Sequence, residues 1–179
     1  MLMQTGAPGL ATATESVVEA VPVPASQYLM VQLGAERFGM GLVSVREILQ
    51  YRDLTTVPLV PPLIRGVINL RGAVVPVIDL AVRLGRTAGP VTEQTCIVIV
   101  ELESTEHLPR GYKMGLVVDA VSQVQELPEA DKVPTPEFGT HMRPDFVQAM
   151  GRIGGQFVVL LQLERVLWLP EVAIMGALR

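Results

Sequence analysis

From Ser26 onward the chain is a series of short apolar runs punctuated by glycine and proline. Tyr28 to Leu33 is an apolar run of strand length, and Gly34-Ala35-Glu36-Arg37 turns it back into Phe38-Gly39-Met40, which reads as a hairpin. Val67-Ile68-Asn69-Leu70 and Ala73 to Ile78 flank Arg71-Gly72 as a second hairpin. Arg152 to Leu163, with Gly154-Gly155 at its turn, makes a third. Cys96 to Leu102 and Met114 to Val121 are rich in β-branched residues and bracket a polar loop; Val121 to Leu127 then alternates polar and apolar positions. Pro76 has no N–H to give to a ladder, so its strand is expected at an edge or at a bulge.

Helical signals are few. Val45, Ile48 and Leu49 stand at helical spacing, which predicts a short helix over Val43 to Tyr51. Asp79 can cap a helix that runs through Leu84 and stops at Gly85. Glu164 to Leu169 reads as a terminal helix ended by Pro170. The four prolines between Pro128 and Pro144 mark an ordered surface loop. Residues 1–25, with Ala11-Thr12-Ala13-Thr14 and Val21-Pro22-Val23-Pro24, lack periodicity and read as a flexible tail. The ordered domain is expected over 26–170, with a C-terminal tail at 171–179. The fold class is all-β, as one barrel or a pair of barrels.

Composition removes most chemistries. The 179 residues are 49% apolar and 18% charged, with 14 basic against 18 acidic side chains and a net charge of −4, so neither a disordered polyelectrolyte nor a basic nucleic-acid arm is indicated. A single cysteine, Cys96, excludes an internal disulfide and multi-cysteine metal sites. Residues 1–25 contain no Lys or Arg and no signal-peptide core. The longest apolar runs are about five residues, against the ~20 a membrane helix needs. Charge is uneven: residues 37–92 hold seven arginines against Glu47, Asp53 and Asp79, an arrangement suited to an acidic protein partner or simply to solvated surface.

Motifs for catalysis are missing. The chain has no phosphate-binding G-x-x-x-x-G-K-[ST] and no G-x-S-x-G. Gly39-Met40-Gly41 begins like a dinucleotide fingerprint, but Ser44 stands where the third glycine belongs. His107 lies near Ser104 in a Glu-rich loop without an orienting acid, so solvent exposure is the plainer account. Tyr28, Phe38, Phe157 and Trp168 sit among apolar residues and read as core, not as base-stacking platforms.

Phe38-Gly39-Met40, then Val45-Arg46-Glu47-Ile48, then the run from Ile64 through Leu80, with its G-V-x-N-L-R-G-x-x-x-P-x-x-D-L string, resemble the CheW family of bacterial chemotaxis coupling proteins. Met114-Gly115-Leu116-Val117-Val118-Asp119-Ala120-Val121-Ser122-Gln123-Val124 is similar to that family's second signature, and the likeness runs from about Ser26 to Pro170. The resemblance implies two small SH3-like β-barrel subdomains around a shared hydrophobic core, and a non-catalytic adaptor without cofactor or metal. Its partners would be the cytoplasmic signalling domain of a chemoreceptor and the regulatory domain of a CheA-type histidine kinase. It would sit in the cytoplasm at membrane-associated receptor arrays. The same adaptor in a non-flagellar chemosensory pathway, such as surface motility, is the alternative. With no kinase segments in the chain, a free-standing adaptor is expected over a kinase's own module.

By motif position, the resemblance makes Arg71 the receptor-contacting arginine, with Val45 and Glu47 beside it, and gives Val121 and Val124 to an apolar groove for the receptor's helical hairpin. Arg65, Gly66 and Asn69 would either contact the receptor or shape the hairpin that presents Arg71. Read from the residues alone, Val121 and Val124 are equally barrel core, and Arg71 is an exposed turn residue. No motif assigns the kinase-facing residues.

Overall fold

The computed structural model describes residues 26–135 and 142–170, so the expected tails at 1–25 and 171–179 lie outside the described residues. In chain order the strands are β1 (Ser26–Leu33), β2 (Glu36–Gly41), β3 (Val45–Gln50), β4 (Ile64–Leu70) and β5 (Ala73–Asp79). The short helix α1 (Leu80–Arg83) follows, then β6 (Cys96–Leu102), β7 (Tyr112–Val118), β8 (Ala120–Leu127) and β9 (Lys132–Val133). The last elements are β10 (Val147–Ile153), β11 (Gln156–Leu161) and α2 (Leu163–Val166). Among the described residues no helix is long and apolar enough to cross a membrane.

The hairpins form where the turn chemistry allows them. Arg71 and Gly72 have φ of 51° and 85°, and Gly154 and Gly155 have 57° and 77°. Two successive positive φ values define the primed turn whose twist matches that of the flanking strands. The strands assemble into two sheets, of order β8-β1-β2-β11-β10-β9 and β3-β6-β7-β5-β4. In each, an edge strand pairs with an antiparallel hairpin, which pairs in parallel with a second hairpin. A one-turn helix follows the second hairpin in both: α1 after β5, and α2 after β11. The two halves therefore repeat one plan.

Three apolar clusters explain the long β-branched runs. In β6, Val98, Val100 and Leu102 enter a core shared by both sheets, while Ile97 and Ile99 enter a second cluster with Val75, Val77 and Val117. In β1, Leu29, Val31 and Leu33 face the shared core, while Tyr28 and Met30 face a third cluster with Leu127, Val158 and Leu160. Strict alternation thus buries both faces, and the strands read as continuous apolar runs. Glycine serves close approach at Gly115, where an added Cβ would lie 2.9 Å from side-chain atoms of both Ile97 and Val77.

Each sheet curls so that strands far apart in its order approach one another. After β3 the chain swings across to β4, where Thr55 and Val67 exchange backbone hydrogen bonds of 2.9 Å. In the other sheet Lys132 Nζ donates to Ser26 Oγ at 3.0 Å. This curling accords with the expected pair of small barrels.

Five expectations change. Phe157 and Trp168, read as core, are 60% and 42% exposed, whereas Tyr28 and Phe38 are buried. Val43 to Tyr51 is no helix: after a single 3-10 turn at Leu42–Ser44 it is the edge strand β3. Pro76 lies in β5, inside its sheet and not at an edge. It is tolerated because the parallel ladder with β7 begins one residue later, at Val77, and the bulge allowed for lies in the partner strand just beyond it, in β4 between Ile64 and Gly66, opposite Ile78 and Val77. The terminal helix is shorter and earlier, Leu163–Val166. The proline-rich stretch carries a 3-10 turn at Glu129–Asp131 and the short β9, with 136–141 outside the described residues. The Asp79 cap forms as expected, its Oδ1 accepting from the Val82 amide at 3.2 Å.

Candidate functional site

The two sheets meet across the shared core, and each offers that core one edge strand: β3 from one sheet and β8 from the other. Both strands carry an extra residue relative to their partners. In β3, Val45 stands opposite Val100 and Ile48 opposite Val98, so both side chains point to the shared-core side. In β8, Val121 stands opposite Val31 and Val124 opposite Leu29, with the same result. Val45 and Val121 are partly buried against the shared core, whereas Ile48 and Val124 are 44% and 47% exposed. The outcome is an apolar margin on each of the two edge strands, turned toward the shared core. Ile48 escaped the sequence reading, because a helix assignment gave it no reason to stand out; the register of β3 is what identifies it.

The β4–β5 hairpin reaches this margin with its tip. Arg71 Nη2 lies 3.6 Å from Glu47 Oε2 on β3, with the Arg71 side chain 86% exposed. Asn69 holds the turn from within, its Oδ1 accepting from the Gly72 amide at 3.0 Å. Gly66 serves the backbone: its φ is +149°, and a Cβ there would sit 2.5 Å from the Thr55 carbonyl oxygen. Arg65 is turned inward, donating to Asp79 Oδ2 at 3.3 Å and to the Tyr51 hydroxyl at 2.9 Å, and lying over the Tyr51 ring. The structure therefore places Val45 and Ile48 on the shared-core face of β3, pairs Arg71 with Glu47 on that strand's other face, where Glu47 stands opposite Ile99, and places Val121 with Val124 on the shared-core face of β8. It gives Arg65, Gly66 and Asn69 partners within the chain.

The seven arginines of the middle segment do not form a free basic face. Arg46 pairs with Glu101 at 3.0 Å, Arg65 with Asp79, and Arg86 with Glu36 at 2.6 Å. Arg83 donates to the carbonyls of Val166 and Trp168 at the end of α2, where a cation also meets the negative end of the helix dipole. Arg37 donates to Gln156, and Arg52 lies 3.8 Å from Asp53. Arg71 is the most exposed of the ion-paired ones. Cys96 begins β6 with its thiol donating to the Gln94 carbonyl, and burial pushes its pKa up, away from thiolate chemistry.

Comparison with known proteins agrees with this fold. The sequence profile of the CheW-like domain matches residues 27–170. The chain belongs to the CheW-like family. It is 31% identical over 167 residues to the chemotaxis protein CheW of Klebsiella aerogenes, covering 93% of this chain and 94% of that one. With the chemotaxis protein CheW of Rhizobium meliloti it shares 33% identity over 135 residues, 75% of this chain and 83% of that one. The crystal structure of the scaffolding protein TtCheW from Thermoanaerobacter tengcongensis superposes with a TM-score of 0.71 at 29% identity, covering 85% of this chain and 93% of that chain. The mostly-β, two-sheet architecture is thus that of a CheW scaffold.

Proposed function

We propose that this CheW-like chain is a non-catalytic adaptor. Its seam between β3 and β8 takes the helical hairpin of a chemoreceptor's cytoplasmic signalling tip, and another face engages the regulatory domain of a CheA-type histidine kinase. The observation that carries the receptor half is the pairing of two apolar margins, each with one half-exposed anchor, Ile48 and Val124, beside an exposed cation. A helix docks by laying an apolar ridge into such a groove, with polar contacts at the rim fixing its register. Val45 and Val121 form the floor, Ile48 and Val124 the lips, and Glu47 with Arg71 the polar rim. Arg65, Gly66 and Asn69 support the reading indirectly, by holding the hairpin that presents Arg71. The adaptor works in the cytoplasm, at receptor arrays, where weak individual contacts add up through multivalency.

The test is a titration of the full chain with a receptor signalling fragment and with CheA kinase from the same genome, comparing wild type with Arg71→Ala. Wild type is expected to bind both, and the variant to lose the receptor by about 30-fold, the ~2 kcal/mol of an interface hot spot, while keeping the kinase. Absence of wild-type binding at high micromolar concentration would sink the adaptor reading. Equal loss of both partners would sink the assignment of Arg71 to the receptor face.

A further inference from the structure

The two walls of the groove are made by the same device at equivalent places. Strand β3 stands in its sheet as β8 stands in the other: each is the edge strand next to an antiparallel hairpin that pairs in parallel with a second hairpin. The equivalence extends to detail, since β4 and β10 also carry matching register shifts, at Ile64/Gly66 and Val147/Ala149. On this mapping Val45-Arg46-Glu47-Ile48 corresponds to Val121-Ser122-Gln123-Val124.

In a regular strand, residues three apart point to opposite faces. Here they do not. Val45 and Ile48 oppose Val100 and Val98, which are two apart on β6, and Val121 and Val124 oppose Val31 and Leu29, two apart on β1. The one extra residue in each edge strand turns the second apolar side chain back onto the shared-core face. Both bulges are pinned by their own side chains. Ser122 Oγ donates to the Met30 carbonyl at 3.2 Å. Arg46 donates from Nε to Glu101 at 3.0 Å and from Nη1 to the Val43 carbonyl at 3.0 Å. Upstream of β8, the Asp119 amide donates to the Gln32 carbonyl and its carboxylate accepts from the Gly34 amide at 2.6 Å, which fixes where the strand begins.

We propose that the one-residue bulges at Arg46 and at Ser122–Gln123 set the strand register that aims four apolar anchors at the docked partner, while the bulge side chains themselves do not touch what binds there. The occupant this spacing fits is a helix. Residues two apart on the partner strands place the anchors roughly 6–7 Å apart along each wall, close to the ~5.4 Å pitch of an α-helix. Successive apolar side chains on one helical ridge therefore meet successive anchors. The proposal rests on the receptor-docking reading above.

The experiment uses the full chain, a receptor signalling fragment as probe, and thermal unfolding as the check on folding. Exchanging the anchor with its neighbour, Gln123→Val with Val124→Gln, keeps length and composition and places the valine at the alternating position of a regular strand. With the bulge in place, that exchange points an amide side chain into the groove where the Val124 side chain stood, and affinity is expected to fall at least tenfold with the unfolding midpoint unchanged. Gln123→Ala is expected to bind as wild type does. A chain lacking Gln123 should also bind within about threefold of wild type, because removing the extra residue leaves Val121 and Val124 two apart and on one face. Wild-type affinity in the exchanged chain, or a tenfold loss on deleting Gln123, overturns the inference and leaves the adaptor reading standing. Failure of the wild type to bind the probe overturns both. Should the exchanged chain not fold, the deletion decides alone.

Discussion

Arg71 is a residue whose backbone and side chain serve different ends. Its φ of 51° lies where a Cβ crowds the backbone and where glycine or asparagine is the ordinary occupant. The fold gains little from arginine there, because a solvent-exposed ion pair with Glu47 at 3.6 Å is worth under about 1 kcal/mol. Replacement by Asn, which tolerates this conformation, is expected to raise stability by up to about 1 kcal/mol in urea unfolding, while lowering receptor-fragment affinity. A fall in both quantities would mean that the arginine is there for the fold. Tyr112 is the opposite case, a polar atom the fold tolerates. Its hydroxyl is buried with no hydrogen-bond partner among the described residues, and burial pushes its pKa up to about 12. The unfolded phenol ionises near ~10. Stability from this group is therefore fully present below that pH and drains away as pH climbs toward 12. Tyr112→Phe should remove that alkaline loss, and at neutral pH it should be at least as stable as wild type, since it deletes an unsatisfied buried hydroxyl. Denaturation midpoints of both proteins across alkaline pH measure the difference.

At the scale of elements, bulges account for the main misreading of the sequence. Val45 and Ile48 share a face at a spacing of three, which in one dimension is the signature of a helix. A bulged strand produces the same spacing by inserting a residue. The pattern in Val121-Ser122-Gln123-Val124 is the same, but its neighbours alternate and are β-prone, so that segment was legible as a strand. Gly66 shows how an element is held in place by a second segment. The Thr55 carbonyl approaches so closely that a Cβ would lie 2.5 Å away. Gly66→Ala should therefore destabilise the protein by more than about 1 kcal/mol and raise the amide-exchange rates of Thr55 and Val67, whose mutual hydrogen bonds it disrupts. Unchanged exchange at those two amides would show that the strand shifts to accommodate the methyl group without opening the bridge.

The whole molecule is one cooperative object because its largest apolar cluster belongs to both sheets. Val98, Val100, Met114 and Leu116 from one sheet pack in the same core as Leu29, Val31, Phe38 and Leu161 from the other. Neither sheet can lose its partner without exposing that surface to water. Calorimetric unfolding should thus give a single transition with a calorimetric to van't Hoff enthalpy ratio near one. Leu116→Ala should lower stability by about 2–5 kcal/mol and speed exchange in both sheets together. Two separable transitions would overturn this account of the shared core. The proposed docking of a helix between β3 and β8 would draw on the same arrangement, since both edge strands turn apolar side chains toward that common core.

Local chemistry was enough to place the hairpins at Arg71-Gly72 and Gly154-Gly155, the Asp79 cap and the all-β class, because turn geometry, capping and alternation act over a few residues. The motif around Gly66 to Leu80 was enough to point to the family. Tertiary structure alone decided that β3 is an edge strand, that Pro76 can lie inside a sheet, and that Arg65 turns inward to Asp79 and Tyr51. It also decided that Ile48 and Val124, on opposite sheets, both point to the shared-core side of their strands. The physical reason is common to all four: each depends on which strand lies alongside and in what register, and those are set by contacts between residues far apart in the chain.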